Sequence, residues 1–192
     1  YDLLANPVDT TTTFNVTTEA IVYNGNGLDN TFLAASGAID SRIIDGGDGT
    51  DTLSLTLTQA DNGSLINTTN VENIEMRVSG AATASVTGID MSEAVGVETV
   101  EVRRLNESLS LDNLQSLDTV LRVEDIAVDA IAVTFDFEDS SVAGTADAVT
   151  IQVDGATAST TAVAISLDTG VEIVNLSATG ADNIISLTAF AT

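Results

Sequence analysis

Cysteine, histidine, tryptophan and lysine are all absent from this sequence. Without cysteine no disulfide can hold the chain, so stability must come from a core, a hydrogen-bond ladder or a metal. Without cysteine and histidine, ordinary zinc, iron and copper sites have no ligands. Ser-His-Asp and Cys-His catalysis are excluded within the chain. Proline occurs once, at Pro7, so the turns must be made by glycine, asparagine, aspartate and serine. Aromatic residues are 4%, five phenylalanines and two tyrosines, which is few for stacking on sugar rings. Positive charge is nearly missing: five arginines stand against 29 acids, a net charge of −24. A phosphate backbone needs a basic footprint, so nucleic acid is excluded as a partner, and an anionic membrane surface is repelled. No apolar run approaches the eighteen or so residues of a membrane span.

What remains is a chain of 192 residues, 44% hydrophobic, enough for a substantial core despite its charge. The apolar residues alternate. Leu53, Leu55 and Leu57 are separated by Ser54 and Thr56; Ile74, Met76 and Val78 repeat the pattern. So do Val100 and Val102, then Ile131, Val133, Phe135 and Phe137, then Val149, Ile151 and Val153, then Val163, Ile165 and Leu167, and Val174 and Leu176. Period two over short runs rich in Val, Ile and Thr predicts half-buried strands. Residues 108–117 are expected to hold one short helical turn, and residues 90–95 are a second, weaker candidate. Residues 1–13 read as a linker or entering strand, and 14–192 as one domain. The start at Tyr1 rather than methionine suggests a piece of a larger protein.

A short pattern recurs: an apolar residue, an acid, any residue, then alternating apolar positions. It begins at Val71-Glu72, Val97-Glu98, Leu117-Asp118 and Val171-Glu172, the first three copies 26 and then 20 residues apart. That spacing is about one coil of a β-solenoid, in which each coil stacks on the last. A β-sandwich is the competing architecture, since its strands also recur at short intervals.

One segment carries the chemistry. Gly46-Gly47-Asp48-Gly49-Thr50-Asp51-Thr52-Leu53-Ser54 fits the nonapeptide G-G-x-G-x-D-x-U-x at every fixed position. Its glycines permit left-handed turns that aim carbonyl oxygens inward. Its aspartate adds a charged oxygen, and a hard cation such as calcium prefers such a set. A looser copy runs from Gly25 through Gly27, Asp29 and Asn30 to Phe32. Asp29 and Asp51 are 22 residues apart, so the two turns are expected to stack and share an ion. The candidate ligand turns thus comprise Gly25, Gly27, Asp29, Asn30, Asp45, Gly47, Asp48, Gly49 and Asp51, with Asp40 as an extra candidate. A weaker echo spans Gly180, Asp182, Asn183 and Ile184. Plain hairpin turns also use Gly and Asp, which is the alternative for any one of these copies. Arg103 and Arg104 form the one basic doublet and are expected to face Glu98, Glu101 or Glu107.

At these residues the chain resembles the hemolysin-type (RTX) calcium-binding repeat proteins, and more closely the β-solenoid regions of RTX-type surface-layer proteins of Gram-negative bacteria. Residues 25–32 are similar to the family's G-T-x-x-N-D-T-F turn, and 46–53 to its G-G-x-G-x-D-x-L turn. Residues 70–76, 96–102 and 170–176 echo its G-I-E-x-[VI]-N-[VL] segment. The family's aspartate position in the first turn holds Asn30, one residue after Asp29. The resemblance implies an all-β, right-handed parallel β-solenoid (β-helix- or β-roll-like) with Gly/Asp-rich calcium-binding turns. It further implies type I secretion, folding on calcium outside the cell, and a structural role in a surface layer. Copies of the chain or neighbouring domains of its parent are the expected partners, with cell-surface polysaccharide a second class. The alternative is a segment of a large secreted adhesin that binds glycan or a cell surface. Paired carboxylates can hydrolyse glycosides, but 29 acids make close pairs inevitable, and no base of the usual kind is present. An enzyme is not expected.

Overall fold

The structure is a computed structural model describing residues 10–79, 85–157, 160–180 and 182–188. Its sixteen strands alternate between two sheets, and every strand pairing is parallel. One sheet holds β1 (Thr13–Val16), β3 (Thr31–Ala34), β5 (Thr52–Leu57), β7 (Asn73–Val78), β9 (Thr99–Arg103), β11 (Val120–Glu124), β13 (Ala148–Asp154) and β15 (Ile173–Thr179), adjacent in that order. The other holds β2 (Val22–Asn24), β4 (Ile43–Asp45), β6 (Leu65–Thr69), β8 (Val86–Ala94), β10 (Leu109–Leu114), β12 (Ala132–Phe137), β14 (Val163–Leu167) and β16 (Ile185–Thr188). Each odd strand, the following even strand and their turns make one coil. Coil stacks on coil, so the chain is a β-solenoid.

The alternation read from the sequence sets which side chains fill the solenoid. Leu53, Leu55 and Leu57 of β5 are buried, as are Ile74, Met76 and Val78 of β7 and Val133, Phe135 and Phe137 of β12. Their neighbours Ser54, Thr56, Glu75, Thr134 and Asp136 lie half-buried on the outer faces. Parallel register stacks like on like: Phe32 pairs Leu53, Leu53 pairs Ile74, and Ile74 pairs Val100. Phe14 stacks on Phe32 with ring centroids 5.0 Å apart, closing the first coil. Burial of one large aliphatic or aromatic side chain contributes roughly 1.5–3 kcal/mol, and the solenoid collects such terms in every coil.

The recurrent apolar–acid pattern falls just ahead of β7, β9, β11 and β15, all in the odd sheet. Its leading apolar residue turns inward: Val71 and Val171 are buried, and Val97 and Leu117 pack against the core. Two expectations fail. Residues 108–117 form no helical turn; their core is strand β10, whose Leu109, Leu111 and Leu114 are buried. Residues 90–94 belong to β8, where Ile89, Met91 and Ala94 face the core. In both places a register shift in the ladder breaks strict alternation, which is what gave the sequence its helical look. Among the described residues the sole helical element is a 3-10 turn at Gln59–Asp61, capped by Thr58.

Candidate cation site in the glycine–aspartate turns

The two Gly/Asp turns link β2 to β3 and β4 to β5, and they stack on one corner of the solenoid. Gly25 N–H donates to the Asp45 carbonyl at 2.7 Å, and Gly46 N–H to the Thr69 carbonyl at 2.9 Å. The approach is close enough that only glycine fits. A Cβ on Gly25 would overlap the Gly46 carbonyl oxygen, and a Cβ on Gly46 would overlap that of Asn70. Gly47 and Gly49 sit at φ +90° and +122°, which side chains rarely adopt. Gly27 stands in open space at the exposed apex of the first turn.

The register differs by one residue from the expected sharing of an ion between Asp29 and Asp51. Asn30, not Asp29, stacks on Asp51: Asn30 N–H donates to Asp51 Oδ1 at 2.6 Å. Asp29 is exposed and lies over Thr50, whose N–H it accepts at 2.9 Å. Asn30 is buried; its Oδ1 accepts Asn26 N–H at 2.8 Å and its Nδ2 donates to the Thr11 carbonyl at 3.2 Å. Asp45 Oδ1 accepts Gly47 N–H at 3.1 Å and Asn70 Nδ2–H at 2.8 Å. Asp48 is exposed on the second turn. Asp40 lies in the turn from β3 to β4, the opposite corner of the coil, and does not join this group. At the distant echo, Asn183 Oδ1 accepts Ala156 N–H at 2.9 Å; it caps the turn below it.

Asp51 is the centre of the corner. It is fully buried, and its Oδ2 has no hydrogen-bond partner. Its own N–H donates to Glu72 Oε2 at 2.6 Å, so Asn30, Asp51 and Glu72 form one side-chain column along the turns. Burial is the main cause that raises the Asp51 pKa above its usual value. The negative charges of Glu72, Asp29 and Asp45 push the same way, while the Asn30 N–H hydrogen bond opposes them. Glu72 was not among the residues picked from the sequence. Its signal was present in the recurrent acid before a strand: Glu172 does the same work elsewhere, accepting Asp147 N–H at 2.8 Å.

The donors are carboxylate, amide and carbonyl oxygens, which suit a hard cation. Asp51 Oδ2 is a buried carboxyl oxygen lacking a partner, costly to leave charged and uncompensated. Among the described residues no three His, Cys, Asp or Glu side chains already converge as a metal cluster. Asp29, Asp45 and Asp51 instead each spend one oxygen on a backbone N–H. The donor set therefore offers oxygens of the right chemistry around Asp51 without a preformed cage among the described residues.

Of the acids expected opposite the arginine doublet, Glu101 is met by Arg103, and Glu75 and Asp125 join it. Arg103 reaches Glu75 at 3.0 Å and Glu101 at 3.4 Å, and Arg104 reaches Asp125 at 3.3 Å. Glu98 and Glu107 are not among them. Arg103 ends β9 and points along the odd face, whereas Arg104 turns away at φ 49° into the corner. Among the described residues no helix is long and apolar enough to cross a membrane. No protein-family model, curated protein or solved structure matches this chain.

Proposed function

We propose that the chain is a structural building block of a calcium-dependent extracellular assembly, of the kind that forms bacterial surface layers. The observation that carries the calcium part is the Asp51 Oδ2 atom, buried and unpaired among the charges of Glu72, Asp29 and Asp45. A bound calcium ion would supply the missing positive charge there. Asp51 and Glu72 would hold it, with turn carbonyls and water completing its oxygen shell and the nearby charges of Asp45 and Asp29 adding attraction. The chain's own residues supply the rest of the corner: the glycines let the turns approach, and Asn30 and Asn70 fix the carboxylates by hydrogen bonds. Folding would then follow calcium, because a cation that binds only the folded turn stabilises it by mass action.

The structural role is supported by the repeating coil, which offers two long parallel sheets, and by a composition without histidine or lysine. Secretion is consistent with a cation-dependent fold that needs no disulfide. Thermal unfolding with calcium, then with excess chelator, tests the reading. The expected result is a higher melting temperature in calcium. Equal melting temperatures in the two conditions would remove calcium from the account.

A further inference from the structure

Charge is divided between the two sheets in a way the fold does not require. Four of the five arginines, Arg77, Arg103, Arg104 and Arg122, lie on or at the end of the odd strands β7, β9 and β11. Arg103 and Arg122 are shared among Glu75, Glu101 and Glu124. Arg77 holds only the Thr56 hydroxyl, at 2.8 Å, with no carboxylate in ion-pair reach among the described residues. Arg104 has a 65% exposed side chain, against an Asp125 that is itself 57% exposed. With Ser54, Glu75 and Arg103 these two line a shallow polar recess of about 150 Å³. Four arginines offset four acids here, so the whole −24 rests on the remainder of the molecule.

The even sheet is the reverse. Asp90 pairs directly with Asp112. Asp136 follows Phe135, which pairs with Leu111 on one side and with Leu167, next to Asp168, on the other. Four successive coils thus present aspartate in one outward column, with Glu93, Glu138 and Asp139 beside it. The fifth arginine, Arg42, directly precedes the even strand β4, near the other end of that sheet from the aspartate column. Like charges on neighbouring strands are destabilising, and the repulsion shows: burial and then the neighbouring aspartates raise the pKa of Asp112 and Asp136. Asp90 escapes by accepting Asn113 Nδ2–H and Ser92 N–H, both at 2.9 Å.

We infer that the odd-sheet face around Arg77 and Arg104 docks sideways onto the Asp90–Asp112–Asp136–Asp168 column of a second copy. The match is in charge and in pitch. Arg77 of β7 and Arg104 at the end of β9 sit on neighbouring coils, one strand spacing of about 4.8 Å apart along the axis, which is the step between successive aspartates of the column. Two copies with parallel axes bring these two arginines onto two neighbouring aspartates. The contact joins unlike faces, so it does not close on itself, and each docked copy leaves a free face at either side. Chains would add laterally into a sheet. This rests on the reading of the chain as an assembly unit and names the surfaces that unit uses.

Sedimentation of the full chain at fixed calcium, in low salt and in about 0.5 M salt, tests it, since the screening length falls severalfold between them. The wild type is expected to associate in low salt and come apart in high salt. Arg77→Gln with Arg104→Gln, and separately Asp112→Asn with Asp136→Asn, each weaken association by about tenfold or more. All four side chains lie outside the core, and circular dichroism checks the fold of both variants. Mixed together, the two variants should form a dimer and stop, because each keeps one competent face. A wild type that stays monomeric in low salt overturns the inference. So does either double variant that assembles like the wild type, or a mixture that forms no dimer. Failure of the calcium reading would appear separately, as a melting temperature indifferent to chelator.

Discussion

Replacing Asp51 by asparagine should change the sign of its effect with calcium. The side chain has two separable tasks. Oδ1 accepts the buried Asn30 N–H at 2.6 Å, and an asparagine oxygen can keep that bond. Oδ2 is a buried carboxyl oxygen without a partner, facing the charges of Glu72, Asp29 and Asp45. Leaving such a group unsatisfied costs about 1–3 kcal/mol. An amide there removes the charge and offers donors to an acidic neighbourhood. In chelator, Asp51→Asn should therefore stabilise by about 1 kcal/mol, or about 2–4 °C in melting temperature for a chain of this length. In calcium at roughly a hundred times its dissociation constant, the wild type gains about 2.7 kcal/mol. That is about 5–10 °C, and the variant gains little of it. The two melting curves should cross over between chelator and calcium. Asp51→Ala provides the control: it strips the Asn30 N–H of its acceptor, so it should lose about 1–3 kcal/mol in chelator and, without the carboxylate, forgo the calcium gain as well. A fixed difference between Asp51→Asn and wild type, the same with and without calcium, would refute the reasoning.

The Asp112 and Asp136 carboxyls hold their protons more tightly in the folded chain, because burial and then neighbouring aspartates raise both pKa values. Their stabilisation is complete below the unfolded value of about 3.9 and is lost as pH rises through the folded values; their contribution to a melting-temperature series should therefore grow as pH falls towards that value. Asp136→Asn should raise the neutral melting temperature and flatten that slope. Gly46→Ala drives a Cβ into the Asn70 carbonyl and should cost several kcal/mol, at the upper end of single substitutions, read as a lowered denaturation midpoint. Ala130 is exposed at φ 61°, so Ala130→Gly should relieve strain and raise stability by up to about 1 kcal/mol in the same assay. Phe135→Ala empties a fully buried site between Leu111 and Leu167 and should cost about 3–5 kcal/mol.

Strand identity was legible wherever alternation was unbroken, because a solenoid wall buries one face and wets the other. Leu53 to Leu57 and Val133 to Phe137 declare themselves on that rule alone. The even sheet misled at β8 and β10 because register shifts let Ile89, Met91 and Ala94, or Leu109, Leu111 and Leu114, reach the core at mixed spacings. Mixed spacing of two and three mimics a helical face, and nothing local distinguishes the two. The parallel ladder decides, since each residue there is held by the coil before and the coil after.

The same physics limits what was legible in the turns. The nonapeptide identified Asp51, but sequence distance placed Asp29 opposite it, at 22 residues. Stacking is governed by backbone register, and the bond between Thr52 N–H and the Asn30 carbonyl sets a coil of 21. One residue of difference moves Asp29 from partner to neighbour and puts the uncharged Asn30 beneath the carboxylate. It also makes Glu72, the next member of the 21-residue series, the acid that meets Asp51 from the other side. A column with asparagine at one level and acids at the next two carries less negative charge than three aspartates would. It therefore needs less positive charge to balance it than a column of three aspartates does.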